Sequence, residues 1–191
     1  GEECSGTLAR VSLGHEFVTD VLQSQFHPTI QEPAELLWLA FSLAYALVEG
    51  ASKELGIPST DLSATVAYGE QHPIPPIILY DNVPGGAGLV AQLEDKAVLR
   101  KSLEFAKERV EACSGCDEMS SCYSCLRGYR NQFAHRHLKR GPAMRYLQSV
   151  LAGWTPEEVC DEPGESGYSG NQGGTFRPVG DEKNPSRVAQ D

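Results

Sequence analysis

The stretch Cys113-Ser114-Gly115-Cys116-Asp117-Glu118-Met119-Ser120-Ser121-Cys122-Tyr123-Ser124-Cys125 holds four of the six cysteines of the chain in two tight pairs. Two residues separate the members of each pair and five separate the pairs. A two-residue spacer lets both thiolates turn toward one ion, and two such pairs complete a tetrahedral four-sulfur shell with metal–sulfur bonds of about 2.3 Å. Zinc is the preferred ion because nothing nearby suggests electron transfer, although four thiolates also accept iron or an iron–sulfur cluster. Four protein sulfurs leave no open position for water or substrate, so the ion is structural. His135 and His137 come after a ligand set that is already complete.

The segments around this knuckle predict how it is anchored. Upstream, a helix from about Lys96 to Ala112 places Leu99, Leu103, Ala106 and Val110 on one face and delivers Cys113 at its end. A glycine-rich turn, Asn82-Val83-Pro84-Gly85-Gly86-Ala87-Gly88, precedes a helix starting near Leu89. Two strands come before it: Asp61 to Tyr68, with Leu62, Ala64, Val66 and Tyr68 on one face, and the apolar run Ile77 to Tyr80. Pro33 suits the first position of a helix running to about Leu55, which Gly56 and Pro58 stop. Residues 7 to 26 read as a hairpin around Gly14 and His15, with Ala9, Val11 and Leu13 on one strand and Val18, Leu22 and Phe26 on the other. Downstream, Gly128 to Leu138 and Pro142 to Leu151 read as helical, with Met144, Leu147 and Leu151 facing inward.

The expected fold class is α+β: a small, mainly antiparallel sheet packed against helices, with the zinc knuckle and an irregular tail. Its domain is expected over residues 1–154. Residues 155–191 are rich in Gly, Pro, Ser and acidic groups and read as a tail, partly disordered or wrapped on a partner. At 191 residues and 40% hydrophobic content, the chain can bury one sizeable core. The apolar stretch Leu36 to Val48, broken only by Ser42, is shorter than the roughly 20 residues of a membrane span and reads as a buried helix. The visible N-terminal region carries no secretory pattern, and paired cysteines suit metal better than disulfides, so a cytoplasmic setting is expected. Gly1 in place of Met suggests a segment of a longer polypeptide, a processed chain or the scar of a removed tag.

A net charge of −10 argues against a wholly nucleic-acid-binding surface. Charge is nevertheless segregated: between Glu118 and Glu157 there is no acidic residue, while Arg127, Arg130, Arg136, Lys139, Arg140 and Arg145 are all positive. Arg127, Arg130, Arg136, Lys139 and Arg140 are candidate phosphate contacts, with Tyr129 and Phe133 placed to stack on bases. A merely solvated basic face is the alternative. The glycine loop also has two readings. Its N–H groups before a helix suit an anion, or its glycines serve a tight turn at positive φ. The Lys-Ser/Thr ending of a P-loop is missing. Asp81, Asn82, Gly85, Gly86 and Gly88 are the residues of this structural loop, with Asp81 and Asn82 bonding the turn backbone.

Taken together, Thr19-Asp20-Val21-Leu22, the run Leu79-Tyr80-Asp81-Asn82-Val83-Pro84-Gly85-Gly86-Ala87-Gly88, the four cysteines, and Asn131 with Arg140 resemble the MZB domain. That module lies at the C-terminus of MrfA-type DNA-repair helicases and occurs in DrmB of DISARM phage-defence systems. The likeness spans about residues 7–150. It implies zinc held by the cysteines, association with a superfamily 2 helicase and work on DNA; the acidic, tailed form of the chain favours phage defence over repair. No P-loop or DExH box occurs in this sequence, so a motor is expected elsewhere in the polypeptide or in a partner. The rival expectation is a nuclease or phosphodiesterase. His137-Leu138-Lys139 matches the start of a phospholipase D-type motif, but Met144 stands where that motif needs Asp.

Overall fold

The computed structural model describes residues 16–27, 32–67 and 75–153. Helix α1, Pro33–Leu55, forms the centre. Pro33 opens it where a missing N–H costs nothing, and Gly56 at φ 66° closes it in the left-handed conformation that glycine adopts freely. Burial extends nearly around the helix, from Leu36, Leu39 and Phe41 to Leu47, Val48 and Ala51. By length and composition this 23-residue helix is apolar enough to cross a membrane, but 67% of its most apolar window is buried inside the fold. Its apolarity therefore belongs to the core. Ser42, the one polar interruption, is fully buried and accepts the backbone N–H of Lys139 at 2.7 Å, as a buried hydroxyl requires.

Three antiparallel strands flank α1: β1 (Val21–Ser24), β2 (Leu62–Val66) and β3 (Ile77–Asp81), in the order β1-β3-β2. Alternation on β2 and β3 turns Leu62, Ala64, Val66, Ile77, Leu79 and Asp81 inward, as the two-residue period of a strand dictates. The register pairs Leu79 with Leu22 on one side and Ala64 on the other. The first arm of the expected hairpin and Tyr68 lie outside the described residues. Its second arm is β1, whose described partner is β3; Val18 precedes the strand and is exposed, while Phe26 beyond it is buried.

Helix α2, Lys96–Glu111, begins at Asp95, whose carboxylate accepts the N–H groups of Ala97 and Val98. Its buried face is Ser102, Ala106 and Val110; Leu103 packs at the margin and Leu99, expected to face inward, is only half-buried. The crossing with α1 explains the shift. A Cβ placed on Gly50 would overlap the Ser102 carbonyl and lie 2.7 Å from Ala106 N and 2.9 Å from Ala106 Cβ. Helix backbones this close admit only small residues between them.

Two expected helices are corrected. The one near Leu89 is a short 3-10 helix, Val90–Glu94. Residues 128–138 form only a 3-10 helix, Tyr129–Ala134, with Asn131 at non-helical φ −108°, ψ 23°. The Asn131 side chain accepts from Gly128 N–H at 2.7 Å and donates to the Leu126 carbonyl at 2.9 Å. Such local side-chain bonds compete with a helical backbone. Helix α3, Arg140–Ala152, follows and buries Gly141, Ala143 and Leu147, with Met144 and Tyr146 at the core margin and Leu151 half-buried. It starts two residues before Pro142 because the N–H groups of Arg140 and Gly141 find partners in the knuckle, the carbonyls of Ser120 (2.9 Å) and Glu118 (2.8 Å). The expected tail lies outside the described residues.

Candidate metal centre

Helix α2 ends at Glu111, so Cys113 leaves the core two residues later with its backbone still anchored. Cys116 follows through a Gly115 turn whose added Cβ would meet Cys122 Sγ at 3.2 Å. Across the knuckle, the Cys122 carbonyl accepts N–H bonds from Cys125, Leu126 and Arg127, which curls the second pair into a tight loop. The four Sγ atoms converge at 3.7 Å (Cys113–Cys116), 3.5 Å (Cys113–Cys122), 3.7 Å (Cys116–Cys125) and 3.9 Å (Cys122–Cys125).

Sulfurs at the corners of a tetrahedron with bonds of about 2.3 Å stand about 3.8 Å apart. The observed edges match that figure and are far longer than a disulfide bond of about 2.05 Å. All four cysteines are free thiols; Cys125 is buried and the others half-buried. Their crowding also shows in their proton affinities. Burial, reinforced by hydrogen bonds to Cys125 and Cys113, pushes the Cys116 thiol up to about 12. Burial also raises Cys125. At Cys122, burial is outweighed by hydrogen bonds from Cys113 and the Ser124 backbone, which bring the thiol down to about 7. Like charges at such separations disfavour joint ionisation, and a divalent cation is the partner this donor set fits. The four cysteines are positioned to hold one zinc ion.

Neither histidine joins them. His135 Nε2 lies 2.9 Å from Asn131 Oδ1 and 3.1 Å from the Gly128 carbonyl oxygen. His137 stacks on Phe41 at 5.3 Å and accepts Arg136 Nε–H at 2.8 Å. Burial, and then the charges of Arg136 and Lys139, hold its pKa below the usual histidine value.

In the glycine loop, the N–H groups meet carboxylates of the chain itself. Asp81, fully buried, accepts from Ala87 and Leu89 through Oδ2 (2.8 and 2.9 Å) and from Val90 through Oδ1 (2.9 Å). Asp20 Oδ2 accepts from Gly88 at 3.0 Å. These side chains occupy the place an external anion would take. Gly85, Gly86 and Gly88 stand at φ 91°, 76° and 67°, and a Cβ on Gly86 would strike the Asp20 carboxylate. Asn82 donates to the Thr60 carbonyl at 3.0 Å, tying the loop to the turn before β2.

The basic residues divide into two sets. Arg127 Nε donates to Ser121 Oγ at 3.0 Å, and Arg140 reaches the carbonyls of Val110 (2.9 Å) and Cys116 (3.4 Å). Both guanidinium groups are thus turned toward the knuckle. Arg130, whose NH1 donates to the Thr60 carbonyl at 3.0 Å, and Arg136 are exposed. Lys139 Nζ sits 5.5 Å above the Trp38 ring. Tyr129 is 84% exposed and Phe133 65%.

Sequence reasoning missed Arg109 and Ser42. Arg109 Nε donates to the Cys125 carbonyl at 2.8 Å while its NH2 pairs with Glu49 at 3.0 Å. Nothing in the sequence separates Arg109 from other helix-surface arginines, whereas a serine breaking an apolar run was a readable sign of a buried bond.

Comparison with known proteins agrees with this geometry. One curated relative, the Druantia protein DruE of Escherichia coli (strain UMEA 4076-1), is 28% identical over 179 residues, covering 84% of this chain. The chain spans only 9% of the length of that relative. A solved structure, the DUF1998 helicase MrfA bound to DNA, aligns with 69% of this chain and 16% of its own at a TM-score of 0.47 and 19% identity. Residues 43–126 match the family model described as the MrfA Zn-binding domain. That match takes in the C-terminal part of α1, β2, β3, α2 and all four cysteines, so the residues positioned to hold zinc lie in the part of the chain that is similar to a zinc-binding domain.

Proposed function

We propose that this chain is a non-catalytic, zinc-braced module that docks on a superfamily 2 helicase core and helps hold DNA. The helicase is either an upstream part of the same polypeptide or a separate subunit. The observation that carries this reading is the closed four-sulfur cluster, which fixes the basic stretch after Cys125 to the core. A site with four protein ligands has no position for substrate, so its product is a rigid surface. In that stretch Tyr129, Phe133, Arg130 and Arg136 are exposed and Lys139 is half-buried over Trp38. Aromatic faces between cations suit stacked bases and phosphates.

The setting we favour is cytoplasmic phage defence, as the resemblance to DISARM DrmB proteins implies. The similarity to DruE makes a DruE-like parent the neighbouring alternative, and the family match keeps the C-terminal domain of an MrfA-type DNA-repair helicase as another. Within the chain, residues 1–154 act as the module and 155–191 as a tail that wraps a partner. Two measurements test the reading: co-purification with a superfamily 2 helicase, and DNA affinity of the complex across a salt series. Replacing Arg130 and Arg136 by Gln should weaken binding and flatten the salt dependence by roughly 0.7–0.9 in log–log slope for each phosphate no longer neutralised. A chain that neither binds a helicase nor alters its DNA affinity refutes the proposal.

A further inference from the structure

Two of the four ligand cysteines have their backbone carbonyls held by arginines from core helices. Arg109, in the last turn of α2, donates Nε–H to the Cys125 carbonyl at 2.8 Å. Its other end is fixed by Glu49 of α1 at 3.0 Å. Arg140, the first residue of α3, bridges the Val110 carbonyl of α2 (2.9 Å) and the Cys116 carbonyl (3.4 Å). Its backbone N–H also donates to Ser120 inside the knuckle at 2.9 Å. Gly141 brings α3 this close: a Cβ there would meet Glu118 Cβ at 2.7 Å. One ligand from each cysteine pair is therefore clamped.

We propose that Arg109 and Arg140 are positioning residues of the metal centre, setting the Cys125 and Cys116 ligands, and that Arg140 also places positive charge beside a four-thiolate site, the charge of Arg109 being paired with Glu49. The charge argument is direct. Four thiolates around one zinc ion leave a net double negative charge, and a half-buried dianion is costly without nearby cations. A guanidinium is always charged and spreads its donors in a rigid fork, so a single residue serves two carbonyls and supplies that charge. Arg140 thereby belongs to the metal centre, and the phosphate-facing role falls to Arg130, Arg136 and Lys139. This inference rests on the zinc site and not on the helicase reading.

The test is competition for zinc with a colorimetric chelator, using the intact zinc-loaded chain and the variants Arg109→Gln, Arg140→Gln, Arg140→Lys and Lys101→Gln. Groups that orient metal ligands typically change metal affinity 10–100-fold when replaced. Arg109→Gln and Arg140→Gln should each lose zinc affinity within about that range. Arg140→Lys should recover part of the loss, because charge returns without the fork. Lys101, itself exposed where it pairs with Glu54 and about 15 Å along α2 from the helix end that leads into the knuckle, should be neutral. The cobalt(II)-loaded protein gives a second readout: its thiolate-to-metal absorption bands should shift in the two Gln variants, which a loss of global stability alone would not produce. Should Arg140→Gln fail to fold, Arg109→Gln and Arg140→Lys carry the test. Zinc affinity and cobalt spectra unchanged from the parent in the folded variants would overturn the inference. A parent chain that binds no zinc would instead overturn the metal site beneath it.

Discussion

Replacing Gly50 by Ala sets two rules against each other and shows which one governs this fold. Ala is favoured over Gly in a helix interior by about 0.8–1.0 kcal/mol, so propensity alone predicts stabilisation. The added methyl, however, would overlap the Ser102 carbonyl and lie 2.7 Å from Ala106 N. These obstacles are backbone atoms of α2, which cannot rotate away as a side-chain tip can. Overpacking a core costs typically 1–3 kcal/mol, and a clash of helix backbones belongs at the upper end. The expected net loss is about 2 kcal/mol, a fall in Tm of about 4–8 °C for a domain of this size. Because α2 delivers Cys113, displacing it also spreads a sulfur cluster whose edges are now 3.5–3.9 Å, so zinc retention should weaken with Tm. Thermal melting of the zinc-loaded chain, paired with chelator competition, measures both. Gly153→Ala is the control, since its Cβ would make only an ordinary 3.5 Å contact with the Ser149 carbonyl. A Gly50→Ala protein that melts higher than the parent would show that α1 and α2 are not in backbone contact.

Three further outcomes are expected. Cys116→Ala should abolish stoichiometric zinc by elemental analysis; one zinc per chain retained in that variant contradicts the ligand set. Asp81→Asn puts an amide donor among the three N–H groups that the carboxylate accepts. At about 1–3 kcal/mol for each buried donor left unpaired, and with one acceptor oxygen kept, denaturant titration should show a loss of about 2–6 kcal/mol. His137 has a folded pKa held below 6.5, so below pH 6.5 the unfolded chain takes up a proton that the folded chain refuses. Its contribution to stability is present above that pH and declines as pH falls through the folded pKa. His137→Phe, which preserves a ring to stack on Phe41, should flatten this part of the pH–stability curve, and an unchanged curve would assign the acid sensitivity to other groups.

The sequence revealed most where one local rule acts alone. Pro33, Gly56 and the spacing of β2 and β3 mark their elements without help from the rest of the chain, and the Cys-x-x-Cys pairs specify their own geometry. Other elements depend on which partner a particular side chain or helix face meets, near in sequence or far. Leu99 looks like a core residue by helical spacing, but the crossing at Gly50 rotates α2 so that Ser102 and Ala106 face inward. Residues 128–138 have helical composition, but Asn131 spends its side chain on Gly128 and Leu126 and leaves only a 3-10 helix. Arg127 and Arg140 look like surface cations by composition, and only contacts across 6 and 24 residues of chain reveal that they face Ser121 and Cys116.

Those contacts bear on how the module works. A knuckle joined to the core only through Cys113 would swing on its connection, and any surface it carried would be poorly placed. Here the loop between the cysteine pairs is also held by α3, through the Arg140 and Gly141 N–H groups and an exposed Arg145–Glu118 pair at 2.7 Å. Exposed ion pairs contribute about 0–1 kcal/mol, so the backbone bonds and the metal cluster dominate the attachment. The chain after Cys125 returns to α1 through the Lys139 N–H on Ser42. Residues 126–139 are thus fixed at both ends, with Tyr129 and Phe133 held outward between the fixed points. Under the proposed function, a four-cysteine metal site and a pinned loop would serve the same purpose: both would lower the entropy lost on docking.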